Sequence, residues 1–173
     1  MIERYILRIA IVITLVLNFQ TGFAQEEKYI GLFLYNFTKY FDWPDNMKSG
    51  DFVIEVLGHK SVFDELTRLT AGKKVAGQNI VIKNLNRLDE VGKSNILFIG
   101  HWQSRLINDI LTKLGSASTL IVSETDGMLD KGSAINFIIM EGTIKFEINL
   151  TNIKKRQLKV DPRIGQLAYK VID

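Results

Sequence analysis

The sequence predicts an α/β fold: a three-layer sandwich with a mainly parallel sheet flanked by helices, ending in an antiparallel hairpin. Three observations predict it. Four short β-rich runs, Phe52–Leu57, Asn79–Ile82, Asn95–Ile99 and Thr119–Val122, alternate with amphipathic stretches of helical spacing. The run Leu120-Ile121-Val122 is apolar throughout, as a strand covered on both faces must be. Two further β-rich runs, Ala134–Met140 and Thr143–Leu150, are parted only by Glu141-Gly142, which reads as a tight hairpin.

The chain opens with Arg4 and Arg8, an uncharged run from Ile9 to Leu17, and then Gly22-Phe23-Ala24. A basic start, a short apolar stretch and small residues before the cut describe a secretory leader at 1–24, removed after Ala24. A spanning helix needs ~20 apolar residues, and this run is about half as long. The mature protein is then residues 25–173, one domain, with no membrane insertion of its own. The whole chain carries 22 basic and 19 acidic side chains, a net of +3. Loss of Arg4, Arg8 and Glu3 with the leader leaves about +2, a balance that attracts neither nucleic acid nor a membrane surface. With no cysteine anywhere, the fold rests on its apolar core, and thiolate chemistry, disulfides and Cys-ligated metals are excluded.

The first helix should cover Tyr29 to about Asp42, because Ile30, Phe33, Leu34, Phe37, Tyr40 and Phe41 recur at three-and-four spacing before Trp43-Pro44 blocks continuation. Gly58 follows the first strand, with Ser61 placed to cap a helix running from Val62 to about Ala71. Gly100 closes the third strand ahead of a helix from Gln103 to Leu114, whose buried side is Leu106, Ile107, Ile110, Leu111 and Leu114. In the last run Ile144, Phe146 and Ile148 alternate with Lys145, Glu147 and Asn149, which suits a strand near a sheet edge. Thr151 or Asn152 can cap the next helix, and Pro162 can open a last one packing Ile164, Leu167, Ala168 and Val171 on the core.

The segment Phe33-Leu34-Tyr35-Asn36-Phe37-Thr38-Lys39-Tyr40-Phe41-Asp42-Trp43-Pro44 resembles the opening signature of the YfiR family. Val56-Leu57-Gly58, Ile96–Ile99, Ile135–Ile138 and Lys145–Asn149 follow in the order that this resemblance requires, over about residues 28–170. The resemblance implies a periplasmic regulatory protein without catalysis or cofactor of its own. It would act on the periplasmic domain of an inner-membrane signalling protein, a diguanylate cyclase or a sensor kinase, and repression there would lower cyclic di-GMP and biofilm growth. Some family members carry cysteine pairs, a redox handle that this chain lacks.

The residues themselves suggest two sets of binding positions. His59 after Gly58 and His101 after Gly100 follow two parallel strands, at the sheet edge where open α/β folds hold ligands, so Gly58, His59, Gly100 and His101 form a candidate small-ligand site. Tyr35 and Trp43 fall off the core face set by Phe33, Phe37 and Tyr40, and Tyr35, Tyr40 and Trp43 could anchor a partner or a second copy in a homodimer. Lys154, Lys155 and Arg156 extend that partner-binding set with a basic patch suited to an acidic surface. Two histidines without a third ligand at motif spacing make no metal centre. Glu124, Asp126 and Asp130 read more simply as a turn region around Asp126-Gly127 than as a calcium loop. The glycines match neither a dinucleotide fingerprint nor a phosphate loop.

Overall fold

The computed structural model describes residues 25–173, so the expected leader at 1–24 and its cut after Ala24 lie outside the described residues. Helix α1 covers 25–37. It is followed by β1 (Phe41–Asp42), β2 (Phe52–Leu57), α2 (Lys60–Thr70), β3 (Lys74–Val75), β4 (Gln78–Leu85) and β5 (Ile96–Ile99). Next come a 3-10 segment (His101–Leu106), α3 (Ile107–Leu114), β6 (Leu120–Ser123), β7 (Ile135–Met140) and β8 (Thr143–Asn149). The chain closes with α4 (Leu150–Lys155), β9 (Lys159–Val160), α5 (Ile164–Leu167) and β10 (Lys170–Ile172).

Eight strands form one mixed sheet in the order β10-β8-β7-β6-β5-β2-β4-β3. β4, β2, β5, β6 and β7 are mutually parallel. β8 returns antiparallel to β7 across Glu141-Gly142, both in the left-handed region that a two-residue hairpin turn demands. The strand interiors alternate between two cores. Ile54, Val56, Ile96, Phe98, Leu120 and Val122 face the layer of α1 and α2 with Ile30, Leu34, Phe37, Val62 and Leu66. Leu57, Leu97, Ile99 and Ile121 face α3 with Ile107, Ile110 and Leu114. The expected α/β architecture of helices on both faces of a mostly parallel sheet is therefore the observed one.

Several local expectations are corrected. Helix α1 stops at 37, short of Asp42, because Thr38 turns the chain by donating Oγ1 to Tyr35 O at 2.7 Å, and Phe41–Asp42 then pairs antiparallel with Lys159–Val160. Trp43 is pinned at the amino end of β5, with its indole Nε1 donating to Asn95 O at 3.0 Å and its ring edge-on to Phe52 at 4.9 Å. Ser61 is no cap: α2 begins at Lys60, and the preceding His59 accepts no capping bond. The cap of α4 is Asn149, whose Oδ1 accepts from Asn152 N at 2.9 Å, and neither Thr151 nor Asn152 plays that part. The second strand is longer than Asn79–Ile82 and folds back on β3. At the C-terminus only Ile164 of the expected apolar face is fully buried, while Leu167 and Val171 are exposed, since Lys170–Ile172 extends as an edge strand parallel to β8.

Candidate functional site

In sequence order, β2 is the first strand of the parallel sheet, and the connection through α2 leads outward to β4 on one side. The connection from β5 through α3 leads to β6 on the other side, and the two helices lie on opposite faces. The loops leaving β2 and β5 therefore diverge, which opens the crevice where doubly wound sheets take their ligands. Gly58-His59 and Gly100-His101 are those two loops.

Their glycines let the two loops start in close contact. Gly58 N donates to Leu85 O at 2.8 Å and Gly100 N to Leu57 O at 2.9 Å, which carries the sheet pairing to the lip of the crevice. Gly58 has φ +73°, and a Cβ there would lie 2.4 Å from Gln103 Cγ. Gly100 is conformationally ordinary, but a Cβ on it would meet Gly58 O at 2.9 Å and His59 Cβ at 3.1 Å. Only an absent side chain allows this approach.

A third loop completes the arrangement. Glu124 follows β6 directly, and its Oε1 accepts from the backbone N–H of His101 at 2.7 Å and lies 3.7 Å from His59 Nε2. Burial pushes the Glu124 carboxyl above its ordinary value, opposed by His59 and by the His101 N–H. Thr125 Oγ1 sits 3.2 Å from His101 Nδ1, and Asn136 Oδ1 holds this loop by accepting from Ser123 Oγ at 2.7 Å and Thr125 N at 3.1 Å. Trp102 stands outside at 79 % exposure with its ring edge-on to His101. A cavity of about 300 Å³ opens beyond Glu124, bounded by Glu26, Ile30, Asp126, Phe137, Ile139 and Ile144.

The structure thus brings Gly58, His59, Gly100 and His101 together and adds Glu124 and Trp102, which sequence reasoning left out of the site. Glu124 had a usable signal, because it occupies the same place after its strand as the two Gly-His pairs after theirs. These groups supply hydrogen bonds, one half-buried carboxylate and an exposed indole, a set suited to holding a ligand. Among the described residues no three His, Asp or Glu side chains are grouped to hold a metal ion, and no helix is long and apolar enough to cross a membrane.

The partner-binding positions divide differently. Trp43 is buried in the core and Arg156 is 8 % exposed, with Nη1 donating to Gly115 O at 2.7 Å and Ala117 O at 3.3 Å, so neither presents the surface expected of it. Tyr35 and Tyr40 are half-buried, and the Tyr35 ring is flanked by Lys39 and Lys73 at 4.9 and 4.4 Å. Lys154 and Lys155 are exposed. Trp43 and Arg156 both bond to backbone just ahead of parallel strands, so this end of the sheet is opposite the crevice.

Among solved structures, the chain is similar to the crystal structure of the ABC domain in complex with L-Trp from Streptococcus pneumonia, with a TM-score of 0.50 and 12% identity. That likeness covers 69% of this chain, which spans about half (55%) of the other, and it concerns the fold. No curated protein matches the chain. Residues 28–169 match the family model described as YfiR/HmsC-like.

Proposed function

The chain belongs to the YfiR/HmsC-like family, and from that premise we propose that it is an exported regulatory protein that represses an inner-membrane diguanylate cyclase or sensor kinase by binding its periplasmic domain. Membership supports a periplasmic regulatory role, and the observation that carries it is a family match running from the first described helix through α5. The mechanism is differential affinity. A regulator shifts a two-state partner only by the margin with which it prefers the inactive state, and turning the partner from mostly on to mostly off takes about 5 kcal/mol of such preference. Binding alone does this, without catalysis. Tyr35, Tyr40, Lys154 and Lys155 are the surface positions proposed to meet the partner, as a homodimer or as single subunits.

The second reading, favoured by the close approach of Gly58 and Gly100 where the two loops diverge, is a small-ligand site at His59, His101 and Glu124. The two are compatible if ligand and partner affinities are coupled. The test is capture from detergent-solubilised membranes on purified residues 25–173, with mass spectrometry of what is retained. Enrichment of a cyclase or kinase bearing a periplasmic domain, competed by free protein, is expected. Retention of no membrane signalling protein would overturn the repressor assignment.

A further inference from the structure

At the opposite end of the sheet from the crevice, a cavity of about 370 Å³ is lined by Leu111, Gly115, Asp130, Lys131, Gly132, Asn152, Lys155 and Arg156. Its wall is set by α4: Asn152 Nδ2 donates to Leu129 O at 2.7 Å and to Ser133 O at 2.8 Å, which ties the helix to the segment entering β7. Arg156 is more than nine-tenths buried, yet both of its side-chain hydrogen bonds leave from Nη1 and end on backbone carbonyls. None of the ion pairs among the described residues includes Arg156, although Asp130 borders the same space.

The two carbonyls take only the Nη1 corner of the guanidinium, no carboxylate pairs with it, and its other nitrogens keep access to the cavity. The remaining edge of its planar fork matches the two oxygens of a carboxylate or phosphate. Lys131 and Lys155 add two cations at the mouth against the single Asp130. We propose that this cavity is a binding site for a small oxyanion, a carboxylate or phosphate group, seated on Arg156 and flanked by Lys131 and Lys155. The inference stands apart from the repressor reading, since it concerns a free anion and needs no partner.

Residues 25–173, labelled with nitrogen-15, are titrated separately with citrate, inorganic phosphate and, as an uncharged control, glycerol. The expected result is saturable amide shifts centred on 130–132 and 152–156 with an oxyanion and none with glycerol; the tighter of the two anions identifies the source class. Lys131→Ala and Lys155→Ala, both at exposed positions and so safe for folding, should each weaken the affinity about two- to five-fold. Arg156→Lys, first confirmed as folded by its amide spectrum, should abolish saturation because an ammonium lacks the fork. Absence of saturable shifts with both anions would overturn the proposal. So would shifts scattered over all lysine-bearing surfaces and unchanged by the two alanine substitutions.

Discussion

Gly100→Ala isolates the close approach of the two loops from ordinary glycine effects, because Gly100 lies outside the left-handed region and loses nothing conformationally by gaining a side chain. The new methyl would lie 2.9 Å from Gly58 O, 3.2 Å from Gly58 C and 3.1 Å from His59 Cβ, all on or next to backbone that the sheet pairing holds. Overpacking of this kind costs about 1–3 kcal/mol. For a domain of this size each kcal/mol lowers Tm by roughly 2–4 °C, so a fall of about 2–12 °C is expected by calorimetry. Gly58→Ala should also destabilise, by about 1–2 kcal/mol of left-handed strain plus the clash at 2.4 Å with Gln103 Cγ. The two differ in rescue. Gln103→Ala removes the atom that Gly58→Ala strikes and should recover part of that loss, whereas it should recover none of the loss from Gly100→Ala. A Gly100→Ala protein melting within a degree of the parent, or one rescued by Gln103→Ala, would refute the close approach.

Three other outcomes are expected. Trp43→Phe keeps most of the apolar contact but strips the bond to Asn95 O, and should cost about 1–3 kcal/mol in urea denaturation with an unchanged slope. Glu124 has a folded-state pKa above its ordinary value of 4.5, so the unfolded chain ionises first; its contribution favours the fold below that value and is lost as pH rises through the raised pKa. Stability measured against pH should therefore fall more across that window for the parent than for Glu124→Gln, and parallel curves would contradict the raised pKa that its half-buried placement produces. Charge reversal at Lys154 and Lys155 should weaken partner capture, more so at low salt, while leaving Tm nearly unchanged because both side chains are exposed.

The parallel sheet was legible because runs such as Leu97-Phe98-Ile99 and Leu120-Ile121-Val122 face apolar helices on both sides, so burial alone marks them as central strands. What escaped depended on distant partners. Phe41 continues the helical spacing of Ile30, Leu34 and Phe37 and is buried with them, yet its backbone pairs with Val160, a contact that local pattern cannot encode. β10 escaped likewise, since its strand state comes from the edge that β8 offers.

The site was half legible. Gly-His after each of two strands pointed to the crevice, but Glu124 sat beside Asp126-Gly127 and took on the appearance of a turn. Arg156 was absorbed into the basic run Lys154-Lys155-Arg156, although its position three residues after Ile153 places it on the buried side of α4. Helical phase would have separated it from its lysine neighbours, where charge alone could not.

The central claim is repression from the periplasmic face, and the most direct measurement is the cyclic di-GMP content of spheroplasts lacking this chain as purified residues 25–173 are added outside. A dose-dependent, saturating fall is expected, one that the Lys154 and Lys155 charge-reversed protein reproduces only at higher concentration. Cyclic di-GMP unchanged at saturating protein would contradict repression of a cyclase.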